Sequence, residues 1–295
     1  MKAKRYLLAL IACFGFVYVI AQPNTTITPG GVAAPQTGDV PPPDVYKREN
    51  IIPEKKPVPY AYIREADVMW AKDIWRTVDL RERMNQPLQY PIDGHIGERY
   101  SLYGLLLEGI RSEEITPYKF IDWNNPFAQR TSLKQIYQDI EADTIFDDNG
   151  KALSINAKNA YIKQFILQEK WFFDKQHSVM RVRIVAIAPV MIKNKEDANG
   201  NPLPDLEKRL PFVVYFPQCR RMFATHPVYN GNNDAQNISF DDLFFQRRFA
   251  STISAESNVY ANRFIVDYLK GQDALMEAER IKEDLFDMEH DLWEY

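Results

Sequence analysis

The chain has 295 residues, a net charge of −4, 45% hydrophobic and 13% aromatic side chains and two cysteines, which suits one or two domains with a real core. Residues 1–21 carry three bases and no acids, while residues 273–295 carry nine acids and two bases. The segment between them is neutral, which excludes the basic footprint that nucleic-acid binding needs.

Lys2, Lys4 and Arg5 precede an apolar run from Tyr6 to Ile20, and Val19-Ile20-Ala21 reads as a cleavage site. Residues 1–21 are therefore expected to be a cleaved signal peptide and the protein to be exported. An uncleaved anchor fits less well, because the 15-residue run is short for a membrane span of about 20 residues. Leu10-Ile11-Ala12-Cys13 has the letters of a lipobox, but the apolar run continues through Phe14–Ile20 where a mature lipoprotein would turn polar. Cleavage after Ala21 leaves Cys219 alone, unable to form an internal disulfide and suited to a buried apolar position.

Residues 22–59 hold nine prolines, including Pro41-Pro42-Pro43. This composition favours an extended arm, either a passive spacer or a segment that orders on a partner. From residue 60 to 295 a single domain is expected. Val68, Ala71, Trp75 and Val78 follow a helical spacing, whereas Ile74–Leu80 alternates like a strand, so both readings stand for this stretch. Asn85 to Pro91 ends the element through its prolines.

Ser101 predicts a cap for a helix over 102–108, with Gly109 just past its end. Ser132 and Gln135 predict a capping box for a helix over 133–140. Asp147-Asp148-Asn149-Gly150 is a turn signal. The strongest strand signal spans 161–192. Tyr161, Phe165, Leu167, Trp171 and Phe173 would share one face of the first arm. Met180, Val182, Ile184, Ala186, Ala188, Val190 and Ile192 would share one face of the second, and Asp174–His177 would form the turn. A polar loop over 194–205 should lead to a third strand near 211–217. Ser239 with Asp242 predicts a helix over 240–249. An acidic helix over 264–292 closes the chain, with Leu269, Ile281, Leu285, Met288 and Leu292 as its apolar stripe. The expected fold is α+β: an antiparallel sheet on a long hairpin, packed by short helices.

Residues that could carry chemistry do not converge. His95, His177, His226 and His290 lack zinc-site spacing. Asp147–Gly150 fails the register of a calcium loop. No phosphate loop, dinucleotide fingerprint or nucleophile elbow is present. Cys219 with His226 would make a thiol nucleophile only if the fold brought them together.

Ala66-Asp67-Val68-Met69-Trp70-Ala71-Lys72, followed by Trp75–Glu82 and Asn85–Pro91, resembles the signature of the GldN/PorN family, gliding-motility and type IX secretion proteins of Bacteroidetes. The similarity continues in order through Ser101-Leu102-Tyr103, Glu114–Tyr118, Leu167–Asp174 and Asp241–Phe244. Membership implies a periplasmic, non-enzymatic structural protein with no cofactor and no small-molecule substrate, held at the outer membrane through a partner. That partner would be a GldK/PorK-like lipoprotein, with further copies of this chain completing a ring. A GldM/PorM-like protein anchored in the inner membrane would be another contact. Tryptophan and arginine are the residue types that anchor interfaces, so Trp70, Trp75, Arg76 and Arg81 are candidate contact residues, together with Pro41, Pro42 and Pro43 of the arm. The same tryptophans also suit core packing and the same charges local ion pairs. The alternatives are an exported hydrolase built on scattered carboxylates or a ligand-binding module with an aromatic groove.

Overall fold

The structure, a computed structural model, describes residues 55–92, 95–96, 99–140, 143–146, 152–156, 161–196, 202–230 and 238–291. The expected signal peptide, the arm up to residue 54 with Pro41, Pro42 and Pro43, the turn at 147–150 and Leu292 lie outside these residues.

Among the described residues the chain opens with β1 (Val68–Asp79), α1 (Gln86–Gln89), β2 (His95–Ile96), β3 (Arg99–Tyr100) and α2 (Leu102–Arg111). It continues with β4 (Pro117–Lys119), β5 (Gln129–Arg130), α3 (Leu133–Asp139), β6 (Asp143–Phe146) and β7 (Ala152–Asn156). The long strands β8 (Ile162–Asp174) and β9 (Val179–Glu196) follow, then β10 (Pro202–Arg209), β11 (Val213–Tyr215) and α4 (Phe216–Thr225). The last elements are α5 (Phe240–Phe245), β12 (Thr252–Glu256) and α6 (Gln272–Asp291). The fold is α+β. An open eight-stranded antiparallel sheet runs β12-β1-β8-β9-β11-β4-β5, with β10 also paired to β9. β2 pairs with β3 and β6 with β7 in two small hairpins.

The stretch with two readings is a strand. Ile74 and Trp75 are neighbours in sequence and both fully buried. Successive strand residues point to opposite faces, so this pattern marks a strand covered on both sides. β-Branched Val68, Ile74, Thr77 and Val78 favour the same outcome. β1 pairs with β8 along most of its length and with β12 over Ile74–Thr77.

The hairpin of β8 and β9 is present, but its faces are not continuous. Gln168 pairs with Ala186 and Glu169 with Ile184, so Val185 bulges out of the ladder. A one-residue bulge reverses which side chains face which side. Ile184, Ile187 and Met191 therefore lie in the helix-covered core, whereas Ala186 and Ala188 lie in the opposite cluster. Tyr161 precedes the strand and is exposed. The expected polar loop is shorter than 194–205, because β9 and β10 extend into it from either side. The third strand is cut to Val213–Tyr215, because Pro217 sits in the first turn of α4 and starts a helix there.

Local caps place the helices. Ser101 Oγ accepts from the Gly104 N–H, and both predicted capping boxes, Ser132 with Gln135 and Ser239 with Asp242, are formed. α5 stops at Phe245 rather than 249. Arg247 takes a left-handed conformation (φ 53°) just beyond it. Its N–H donates to Phe244 O and the Arg248 N–H to Leu243 O, which closes the helix end. The final helix begins at Gln272, not near 264: residues 265–267 make a single 3₁₀ turn, and Gly271 (φ 64°) separates it from α6.

Three apolar clusters hold these elements. The largest packs α2, α4 and α5 on one sheet face, with Leu106, Phe165, Leu167, Phe216, Phe223 and Phe244 among its members. A second, on the other face, gathers Trp75, Trp123, Ala186, Ala188, Val213 and Ala255. The third seats α6 through Ile281 and Leu285 against Ile74, Ile253 and Ile265.

α2 runs past Gly109 to Arg111, so Gly109 is interior rather than a cap. A Cβ there would lie 2.4 Å from Ile115 Cδ1 and 2.9 Å from Met222 Sδ. The glycine lets α2 pack closely against Ile115 and α4. Gly109→Ala should therefore destabilise the fold by about 1–2 kcal/mol in urea unfolding, because overpacking outweighs the gain in helix propensity.

Candidate functional site

Between Lys55 and β1 the chain lies against the domain. Lys55 pairs with Asp242 and reaches Ser239 Oγ at 3.5 Å. Tyr60 lies between two guanidinium groups, Arg220 at 4.2 Å and Arg183 at 5.0 Å from the ring centroid. Arg183 also donates to Ala61 O. Arg220 is itself fixed by a two-pronged bond to Asp241, Nε–Oδ1 2.8 Å and Nη2–Oδ2 3.0 Å, with both side chains buried. Burial pushes the Tyr60 hydroxyl pKa up, and the Arg220 charge beside it opposes the shift. The sequence hint was an aromatic set in a proline run, Pro57-Val58-Pro59-Tyr60.

Beside this strap lies a groove of about 450 Å³. Met180, Phe244 and Phe245 supply apolar lining, and Arg181, Arg183 and Arg247 supply positive charge. A second groove, about 580 Å³, runs between α6 and the sheet at Arg76 and Trp171.

The four candidate contact residues of β1 and its exit do not form one surface. Trp75 is 1% exposed, edge-on to Trp123 at 6.5 Å in the second cluster. Trp70 is half-buried and packs on the third cluster. Arg76 turns inward to Glu169, which is fully buried, with Nε 3.1 Å from Oε2. Arg247 Nη1 meets the other oxygen at 2.9 Å, and Trp171 Nε1 donates to Oε2 at 3.0 Å. Arg76 also donates to Ser251 Oγ at 3.2 Å. Burial lowers the Arg76 pKa, and Glu169 opposes that.

Of the four, Arg81 is the exposed one, 70% by side chain. It forks onto Asp79, with Nε–Oδ1 3.0 Å and Nη2–Oδ2 2.6 Å. Arg81 and, behind it, Gln164 hold the Asp79 carboxyl at about 2, against the upward push of burial. Asn85 is fully buried at the exit from β1. Its side chain donates to Asp79 O and Ala250 O, each at 2.8 Å, and accepts from the Ala250 N–H at 2.9 Å.

The other sequence candidates are structural. Cys219 is buried, its thiol pKa pushed up by desolvation, and it donates to Tyr215 O. His226 Nδ1 contacts Met222 O at 2.9 Å and Thr225 Oγ1 at 3.1 Å. His177 and Arg181 share Asp174 at the hairpin turn, at 2.7 Å and 3.1 Å. Among the described residues no group of three or more His, Cys, Asp and Glu side chains is placed to hold a metal ion, and no helix is long and apolar enough to cross a membrane.

The described residues thus form an open antiparallel sheet packed by short helices, with arginine–aromatic contacts and open grooves at its surface. The chain belongs to the GldN family: the family model described as gliding motility associated protein GldN matches residues 63–294. No individually curated protein matches the sequence.

Two measurements check these contacts. Between pH 4 and 2 the unfolded chain takes up a proton at residue 79 that the folded chain refuses, so folding stability falls as pH drops through this window. Asp79→Asn should lose about 1 kcal/mol less over that window, a figure reduced for the exposure of Arg81, as read by urea unfolding at stepped pH. Tyr60→Ala should release the strap. Trypsin should then cut after Lys55 and Arg64 several-fold faster, with the main thermal transition kept.

Proposed function

We propose that this protein is a non-enzymatic structural subunit of the type IX secretion and gliding motility machinery. In this reading it is exported to the periplasm and assembles with a GldK/PorK-like lipoprotein into a ring under the outer membrane, with further copies of itself. A GldM/PorM-like inner-membrane-anchored protein is a further contact. The observation that carries the reading is the family match across residues 63–294, which spans the sheet and its helices.

Two features support it. Many polar side chains that a hydrolase would need are engaged in the fold itself: Glu169, Asp174 and Asp241 sit in buried ion pairs, and Asp79 is tied to Arg81. The N-terminal strap and the acidic helix α6 leave charged and apolar surface at the periphery, the kind of material from which interfaces are made.

Affinity capture of a tagged chain from gently solubilised envelopes tests the proposal. The expected product is a large assembly containing a lipoprotein and several copies of the chain, and deletion of the gene should stop both gliding and protein export. Capture of a lone chain, together with intact export in the deletion strain, would refute the proposal.

A further inference from the structure

Helix α6 carries eight acids and two bases. Arg280 is shared by Glu277 and Asp284, and Lys282 pairs with Glu279. Among the described residues Glu283 and Asp287 have no ion-pair partner. They are one turn apart and flank Phe286, which is 66% exposed. α6 has already used its other face, since Ile281 and Leu285 are buried on the third cluster. Phe286, Glu283 and Asp287 form one wall of the second groove, with Arg76 and Trp171 opposite, and the Phe286 ring stays largely exposed there.

The groove beside Tyr60 has the opposite character. Phe244, Phe245 and Met180 line it, and Phe245 is 55% exposed. Three arginines line it, Arg181, Arg183 and Arg247, against one lining carboxylate, Asp241, which Arg220 holds. Arg247 shares Glu169 with Arg76 of the second groove, and Arg181 shares Asp174 with His177. Arg183 meets a backbone carbonyl and the Tyr60 and Phe172 rings, but no carboxylate among the described residues. About 450 Å³ is room enough for one phenyl ring and its approach.

We infer that α6 of one copy docks in the Arg181–Arg183–Arg247 groove of the next, with Phe286 against Phe244 and Phe245 and with Glu283 and Asp287 facing the arginines. This rests on the self-assembly proposed above and supplies its contact. The occupant is a second copy because the same chain carries both halves of a matched pair, an acidic apolar ridge and a basic apolar groove, on different elements. An amphipathic helix in a groove is a common recognition mode, and charge of opposite sign fixes its direction. Such a contact is heterologous, so repeated copies add head to tail and close a ring when the rotation permits.

In-cell disulfide cross-linking tests the inference in the full chain. Two differently tagged copies are made together, one Phe286→Cys and the other Phe245→Cys. Both positions are exposed, so thermal unfolding of each purified variant should match the parent, and buried Cys219 stays unreactive. The expected result is a mixed-tag cross-link at least about tenfold stronger than that from two copies of either variant alone, because docking raises the local thiol concentration. Adding Asp287→Arg to the first copy should reduce it, and Arg183→Asp in the second should restore it. No mixed cross-link while the tagged copies still co-purify would overturn this contact and leave self-assembly standing. Equal cross-linking in the single-variant controls would overturn it too, in favour of a symmetric contact. Loss of both cross-link and co-purification would overturn the contact and the assembly together.

Discussion

The buried carboxylate of Glu169 is the constraint that the rest of the structure must satisfy. It sits in the middle of β8 at 0% exposure, so its charge must be answered locally. β1 answers it with Arg76, the segment after α5 with Arg247, and β8 itself with the Trp171 N–H. Arg247 and Arg76 also lie over the Trp171 ring at 5.8 Å and 5.7 Å. One charge thus draws together the central strand, its neighbour and the end of a helix from far along the chain. Swapping such a network for apolar side chains can be neutral, but removing one member strands a charge and costs about 3–5 kcal/mol. The left-handed Arg247 fits this account. A glycine would close the helix end with less strain, but it could not reach Glu169.

What was legible in the sequence was mostly local. Ser132 with Gln135 and Ser239 with Asp242 announced their helices because a capping box is contained within four residues. The β8–β9 hairpin announced itself through alternation around a polar turn. What failed depended on partners distant in sequence. The bulge at Val185 is a property of the pairing between two strands, so an alternation count along one strand runs through it without a mark. Gly109 looked like a helix stop, yet it marks the place where Ile115 and Met222 press in. Short strands such as β4, β5 and β12 have too few residues to show a period.

The candidate contact residues divide on the same physical line. Trp75 and Arg76 are adjacent in β1, so one enters each face of a sheet covered on both sides. The stretches that carry the family resemblance are in large part the internal electrostatics of the fold: Arg76, Asp79, Asn85, Glu169, Trp171, Asp174 and Asp241 all lie in them and all make polar contacts within the domain. A signature of this kind identifies an architecture. The strap at Tyr60 escaped notice because its meaning lies in Arg183 and Arg220, more than a hundred residues further on.

That strap also gives the basic groove a wall drawn from outside the sheet and its helices. Pro59, Tyr60 and Ala61 line the groove together with β9 and α5, and Tyr60 is held there by Arg183 and Arg220. Releasing the strap would therefore remove one side of the groove and uncover the Arg183 guanidinium in the same step.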